Sequence, residues 1–324
     1  MTQTASPTAS QGTATEPAAH TMHCMEVWGS NRAVTSGVIM PGIDAWVYSR
    51  PCADDEAGGD VHYVSACATG RVVRALVADV SGHGSGVAQL SGDLRSLMRR
   101  YINYIDQRRF LTSLNAQFRG LDESGHFATA VVATCWTPTD EVTISCAGHP
   151  SPLCYRAETG AWTTLVPLDS PDGDCPLGLS KDTSFQEIRI RLAKDDLVLL
   201  YTDGLIEARD LAGRQLGSEG LLRLLSALDA ARPETVLTSL LTAVEGFQGG
   251  RPPDDDLTLM LLRPNALKPR ASLMAGMVAG KRVAQASLTA LLTRDRPVPT
   301  PQLSRTNLLG AFSGRFNRRR GSGG

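Results

Sequence analysis

ALVADVSGHGSG, residues 75–86, runs four apolar residues straight into Asp79 and then breaks into Ser81, Gly82, His83, Gly84, Ser85 and Gly86. A continuous apolar run bounded by turn residues reads as a strand buried on both faces. An acid on the last rung of such a strand is held rigidly. The glycines after it let backbone approach a metal or a phosphate. From residue 85 the apolar spacing changes: Val87, Leu90, Leu94, Leu97, Met98, Tyr101 and Ile105 recur at three and four, which predicts an amphipathic helix to about residue 104.

Working outward, short strands are expected in MEVWGSNRAV and DAWVYSR, split by Pro41-Gly42. The acidic, glycine-rich loop CADDEAGGD ends at Asp60, and VHYVSAC resumes a strand. Gly70 turns the chain into the opening stretch, so a hairpin would bring Asp60 beside Asp79. A second helix fits residues 110–118. ATAVVATCW and EVTISCAG then read as strands around a turn at residues 137–140. DLVLLYTDG repeats the opening design, with a buried strand, Asp203 and Gly204. Helices are expected over residues 218–228, with Ser218 as N-cap, and over 233–245, with Pro233 in the first turn. After Asp254, Asp255 and Asp256 comes a last apolar strand. Strands in hairpin-connected runs, with helix pairs between them, give an α+β fold with antiparallel sheets rather than a βαβ alternation.

The chain has 324 residues and a hydrophobic content of 42%, enough for a real core, but only 5% aromatics. Aliphatic side chains must therefore fill that core. No apolar run approaches the roughly 18–20 residues needed to span a bilayer. Residues 1–20 lack an apolar core of the kind a secretory signal needs and read as a disordered arm. The seven cysteines are odd in number and form no CxxC pair, as expected of free thiols in a reducing cytoplasm. The net charge of −1 hides an asymmetry. Residues 265–324 hold eleven Lys/Arg and one acid, a net of +10, so the other 264 residues carry −11. The expected organisation is a disordered arm (1–20), a folded domain (21–264) and a basic tail (265–324) with one weakly amphipathic helix. This expected organisation leaves no room within the 324 residues for a second folded sensor domain.

Asp60, Asp79, Asp203 and Asp255 share one local grammar, an acid at a strand end beside glycine or further acid. Carboxylates at strand ends of one sheet core can converge. Uncompensated, they repel unless protons or cations neutralise them. Hard oxygen donors select Mg²⁺ or Mn²⁺. Two such ions can bind a phosphoryl oxygen and activate water near neutral pH. Taken one at a time, each acid is also ordinary turn chemistry.

GGD at 58–60, DVSGHG at 79–84, AGHPSPL at 147–153, PLGL at 176–179, YTDGLIEAR at 201–209 and DDLTL at 255–259 occur in this order. Together they resemble the metal-dependent PPM-type protein serine/threonine phosphatases, in their bacterial SpoIIE-like branch, over roughly residues 42–263. The resemblance implies a β-sandwich of two antiparallel sheets flanked by helix pairs, with two Mn²⁺ or Mg²⁺ ions at one end. It implies Asp79 as the ligand shared by both ions, with the Val80 carbonyl and Asp60 serving one and Asp203 and Asp255 the other. It implies hydrolysis of phosphoserine or phosphothreonine on a signalling protein, such as an anti-sigma-factor antagonist, without a covalent phosphoenzyme. Two positions depart from the family pattern. Tyr63 stands where many relatives carry a second acid, and Ser81 where relatives elsewhere in the superfamily carry a histidine.

Other residues keep two readings. His83 is a phosphate-side donor or a turn cap; Gly204 and Asp256 are candidates for the outer shell; Glu207 is outer-shell or a surface charge. His149 fixes a turn by hydrogen bonding. Arg71 and Arg74 read as a solvated edge, with phosphate contact the alternative. The basic tail is a solvated extension, a docking element for an acidic partner or an autoinhibitor of the acidic body, or a contact to anionic surfaces. Nucleic acid is the weaker case, because no aromatic platform accompanies the arginines. The competing function is a metal-depleted, phosphatase-like module that regulates a partner without turnover.

Overall fold

The computed structural model describes residues 19–52, 56–82, 85–121, 125–167, 174–293 and 297–300, together with Leu309 and Phe312. Thirteen strands are described: β1 (His20–Thr21), β2 (Val27–Ser30), β3 (Val34–Met40), β4 (Ile43–Arg50), β5 (Asp60–Ala66), β6 (Val72–Val80), β7 (Ala128–Trp136), β8 (Glu141–Ala147), β9 (Leu153–Arg156), β10 (Ala161–Thr164), β11 (Ile188–Arg191), β12 (Leu197–Tyr201) and β13 (Leu257–Pro264). The described helices are α1 (Ser85–Arg100), α2 (Gln107–Arg119), α3 (Gly204–Glu207), α4 (Gly217–Ser226), α5 (Pro233–Gln248) and α6 (Leu273–Thr293).

The strands form two sheets, one ordered β1-β3-β4-β13-β12-β9-β10 and the other β11-β8-β7-β6-β5-β2. Every pairing is antiparallel except the short β1·β3 contact. Alternation along the strands then builds four layers. On β6, Val73, Ala75 and Val77 point between the sheets, where they meet Val198, Leu200, Met260 and Leu262. Leu76, Ala78 and Val80 point the other way, under Leu94, Met98, Phe110 and Leu114 of α1 and α2. On the far side, Leu199, Tyr201, Leu259 and Leu261 pack against Leu221, Leu225, Val236 and Leu240 of α4 and α5. The strand read as buried on both faces is therefore the middle of a helix–sheet–sheet–helix sandwich, buried at every position but Asp79.

Expected elements differ in detail. Ser218 lies inside α4, whose N-cap is Leu216. The α2 helix starts earlier than its apolar pattern, because the Asp106 side chain accepts a hydrogen bond from the Arg109 N–H. Arg71 and Arg74 are not a solvated edge: both are buried. Arg74 donates from Nε to Thr134 Oγ1 (2.8 Å) and from Nη2 to the Tyr104 carbonyl (2.8 Å), with its guanidinium 3.9 Å from the Phe110 ring centre. The two long apolar helices outside explain this, since they cover the face on which the arginine sits.

Beyond β13 the chain stays tethered. Asn265 Nδ2 donates to the Met40 carbonyl and to Asp44, and the Gly42 N–H donates to the Leu267 carbonyl. The α6 helix that follows lies against the corner at Met40, Pro41, Thr69 and Gly70. That is the end of the sandwich opposite Asp60 and Asp79.

Candidate active site

Asp60 opens β5 and Asp79 nearly closes β6, and the two are direct cross-strand partners. The turn at Gly70 thus produces the expected pairing. Position parity aims both side chains between the sheets, alongside Val64 and Val77. The second sheet brings its acids to the same end. Tyr201 closes β12 and is followed by Thr202 and Asp203, and Asp255 and Asp256 precede Leu257 at the start of β13.

The sheets are stitched together here by hydrogen bonds. Thr202 Oγ1 donates to Asp60 Oδ2 (2.7 Å) and accepts from the Thr258 N–H (3.0 Å). Thr258 Oγ1 lies 2.9 Å from Ser49 Oγ. His149 joins Thr129 Oγ1 on β7 (2.8 Å) to the Tyr201 carbonyl on β12 (3.0 Å). The carbonyl can only accept, so Nε2 carries the proton and Nδ1 accepts from the threonine. Burial then holds His149 neutral, pushing its pKa down to about 3. The expectation of a structural role stands, but His149 ties two sheets together rather than its own turn.

Asp256 forms a latch. Its carboxylate accepts from the backbone N–H groups of Cys52 (2.5 Å), Gly59 (2.6 Å) and Asp60 (3.2 Å). Gly58 and Gly59 have to be glycine for this contact. A β-carbon on Gly58 would lie 2.0 Å from Asp256 Oδ2, and one on Gly59 would lie 2.9 Å from Asp79 Oδ1 and 3.0 Å from the Val80 carbonyl oxygen. The Asp79 carboxylate and the Val80 carbonyl therefore border one spot beside Gly59. Gly204 serves close approach too, since a β-carbon there would collide with the Asp256 carbonyl at 2.0 Å.

The electrostatics of the cluster are uncompensated. Among the described residues, no Lys or Arg pairs with Asp60, Asp79, Asp203 or Asp255. Burial pushes the Asp79 carboxyl up to about 6, helped by the charges of Asp203, Asp255 and Asp256. Asp60 is raised well above the usual range by burial, against the Thr202 hydrogen bond that stabilises its anion. Asp203 is raised by burial and then by Glu207, and Asp255 by burial and then by Asp203 and Asp256. Glu207 is thus close enough to Asp203 to matter.

Tyr63 is two strand positions past Val61 and on the same face, away from Asp60. It is buried in the core under α1, where its hydroxyl donates to the Ser91 carbonyl (2.7 Å). Ser81 ties the end of β6 to the start of β7, its N–H donating to the Phe127 carbonyl and its Oγ accepting from the Phe127 N–H. His83 lies outside the described residues. One contributor was not singled out from sequence: Thr202, whose place inside YTDG was the available signal. The His126 ring lies beside Gly82, about 3.1 Å from where a β-carbon there would stand.

A family model described as Stage II sporulation protein E (SpoIIE) matches residues 69–265, more than half of the chain. The chain belongs to the SpoIIE family. The matched stretch holds Asp79, Asp203 and Asp255 and begins after Asp60. A curated relative, the phosphoserine phosphatase RsbP of Bacillus subtilis (strain 168), is 27% identical over 137 residues, which are 41% of this chain and 32% of RsbP. The match thus spans about a third of that relative's length. The crystal structure of the RsbU and RsbW domains of Rv1364c from Mycobacterium tuberculosis superposes with a TM-score of 0.59 at 25% identity, covering 82% of this chain and 72% of that one. The PP2C phosphatase domain of SpoIIE from Bacillus subtilis, with a fragment of its regulatory domain, gives 0.58 at 15% identity, covering 69% and 64%. The SpoIIE-family chain thus has the two-sheet PP2C fold expected from its motifs.

The donor set suits a hard divalent ion. Among the described residues it consists of carboxylates plus a backbone carbonyl. Among the described residues, no group of three or more His, Cys, Asp or Glu stands close enough to hold an ion unaided. Mg²⁺ suits such a sparse set, because it keeps several of its waters when bound.

Proposed function

We propose that the chain is a metal-dependent phosphoprotein phosphatase that hydrolyses phosphoserine or phosphothreonine on a signalling protein. The observation that carries this reading is the convergence of Asp60, Asp79, Asp203 and Asp255 from two sheets with no paired cation among the described residues. Folding brings like charges together only where something neutralises them. In this reading Asp79 would serve both of two Mn²⁺ or Mg²⁺ ions, with Asp60 and the Val80 carbonyl holding one and Asp203 and Asp255 holding the other. Bound there, such ions supply Lewis-acid polarisation of the phosphoryl group and a water of lowered pKa.

The chain's own residues supply positioning. Thr202 fixes the rotamer of Asp60. Asp256 pins the loop that delivers Asp60 and keeps Gly59 against Asp79. His149 locks the sheet carrying Asp79 to the sheet carrying Asp203. An acidic rim also disfavours binding of the phosphate unless cations are present, so substrate binding and metal loading are coupled. A phosphorylated anti-sigma-factor antagonist is the substrate class proposed. RsbP, a phosphoserine phosphatase, is the relative that supports a phosphoserine substrate.

Manganese-dependent release of phosphate from an aryl phosphate and from a phosphoserine peptide tests this. Activity should vanish with chelator and in Asp79→Asn. Full activity in Asp79→Asn would overturn the reading. The sparse direct ligation noted above favours a second reading, a phosphatase-like module acting by recognition alone. Calorimetric titration with Mn²⁺ separates the two. Two sites with turnover support the enzyme, and no binding with no turnover supports the module.

The tail bears on regulation. Among the described residues of the tail, α6 sits at the end of the sandwich away from the carboxylates. Removal of residues 265–324 tests the autoinhibitor reading: faster turnover of a small aryl phosphate supports it, and unchanged turnover leaves the tail to docking.

A further inference from the structure

The α6 helix is inside out. It buries its small residues Gly276, Ala279 and Ala290, with the Phe312 ring covering Gly276. Its Ser272 cap accepts from the Ala275 N–H, and Arg282 Nη1 reaches the Ala68 carbonyl at 3.0 Å, which fixes the rotation of the helix. Its large apolar residues consequently face water. Leu273, Met277, Leu288, Leu291 and Leu292 are each between 58% and 75% exposed. Positions 273, 277, 284, 288 and 291 fall on one helix face as two apolar patches, 273/277 and 284/288/291, with the exposed Lys281 between them. Large apolar residues grouped on one exposed face mark an interaction face.

Charge identifies the occupant. One acid, Asp295, occurs in residues 257–324, and basic residues bracket the stripe, with Arg270 and Lys268 (paired with Asp140) before it and Arg294 and Arg296 after it. The whole segment 265–324 carries +10. A second copy would bring a second such segment against the first, which like-charge repulsion opposes. Nucleic acid has no use for a leucine stripe. No described helix is long and apolar enough to cross a membrane. An apolar stripe flanked by cations is the chemistry of a helix lying in the headgroup layer of an anionic bilayer, where leucines enter the acyl boundary and Lys and Arg reach the lipid phosphates. Stable anchoring requires two signals, and this chain has both an apolar face and a polybasic segment.

We propose that α6, with the basic segment around it, is a peripheral anchor for anionic lipid surfaces. Because α6 lies opposite the carboxylates, docking leaves that end of the sandwich open to solution. The proposal does not depend on the phosphatase reading.

The test is co-sedimentation of the full chain with phosphatidylcholine vesicles, with and without about one-third phosphatidylglycerol, near 0.15 M salt. The chain should sediment with the anionic vesicles and leave them as salt rises. Leu288→Gln with Leu291→Gln should lower the partition by about tenfold or more, as loss of several buried CH₂ groups requires. Both residues are exposed, so the melting temperature should not move. Replacing Arg318, Arg319 and Arg320 by Gln should weaken binding to anionic vesicles. Absence of vesicle binding overturns the proposal, as does equal binding by wild type and the double Leu variant. A concentration-dependent dimer that the Leu variant dissolves, without lipid binding, overturns it in favour of a second copy. Capture of an acidic peptide in preference to vesicles overturns it in favour of a protein partner.

Discussion

Asp196 and Asp203 stand at the two ends of the same strand, β12, and are treated in opposite ways. Asp196 is buried and fully partnered: its carboxylate takes Arg156 Nη1 (2.8 Å) and the N–H groups of Ala157 and Ala193 (2.9 Å each). Asp203 has no described cation, faces Glu207, and belongs to a group of four carboxylates all raised above their usual range. One strand thus shows that the fold can compensate a buried acid and that it does not do so at the other end. A partly buried carboxylate cluster without a counter-charge costs stability. It persists where a cation from solution completes it. On the proposed function, the difference separates an acid that holds the fold from acids that would hold a cation.

The comparison breaks most directly at Asp79. Asp79→Asn should remove a transition-state stabilisation of several kcal/mol, about 10³-fold in rate, while the metal-free fold is kept or slightly strengthened. Phosphate release and thermal melting measured on one preparation check both halves. Asp196→Ala should do the reverse. It leaves two N–H groups and an arginine without their acceptor, costing about 2–4 kcal/mol of stability, with turnover per folded molecule unchanged. If Asp196→Ala lost activity without stability, the division between the two ends would be wrong.

The sequence exposed the positions of the acids better than their partners. Apolar runs ending in Asp were readable because strand and turn signals are local, and the Gly70 hairpin made Asp60 and Asp79 neighbours by simple register. The burial of β6 and β12 on both faces was legible for a related reason: β12 is hydrophobic throughout, and β6 is hydrophobic but for Arg74 and Asp79. The fate of Arg74 was not legible. Whether an arginine between Val73 and Ala75 faces water depends on the helices that arrive later in the chain, and here α2 covers it with Phe110. His149 was hard in the same way, because its two partners, Thr129 and Tyr201, come from different sheets. The latch at Asp256 combines both cases. The adjacent acids were visible, but only the fold shows that Asp255 is left to face Asp79 and Asp203 while Asp256 is consumed by three amides.

That assignment sharpens the comparison within the site itself. Asp256→Ala should free the amides of Cys52, Gly59 and Asp60 and loosen the loop that delivers Asp60. An outer partner of this kind is worth about 10–100-fold in metal affinity or activity. The loss should appear mainly as a higher Mn²⁺ requirement, read from activity against Mn²⁺ concentration. Asp256→Asn, which keeps one acceptor oxygen, should recover part of it. An unchanged Mn²⁺ requirement in Asp256→Ala would reduce Asp256 to packing.

The smallest effect is the pH dependence of the metal-free protein. Asp79 has a folded pKa of about 6, above its ordinary value, so the folded state binds the extra proton. Its stabilising contribution is present in acid and is lost as pH rises through about 6. His149 and His62 act in the opposite sense. Burial lowers their pKa values to about 3 and about 4, so their neutral forms favour the fold above the ordinary histidine range, and that stability is lost as pH falls. A single melting curve mixes these slopes, but the difference between Asp79→Asn and wild type cancels the histidines. With chelator present, the variant should melt higher than wild type near pH 7.5, and the gap should close towards pH 4. Saturating Mn²⁺ at pH 7.5 should reverse the order if Asp79 is the ligand proposed above, which only wild type keeps. A gap that ignores both pH and metal would mean that Asp79 carries no unpaired charge in the fold, and Asp203 would then belong with Asp196.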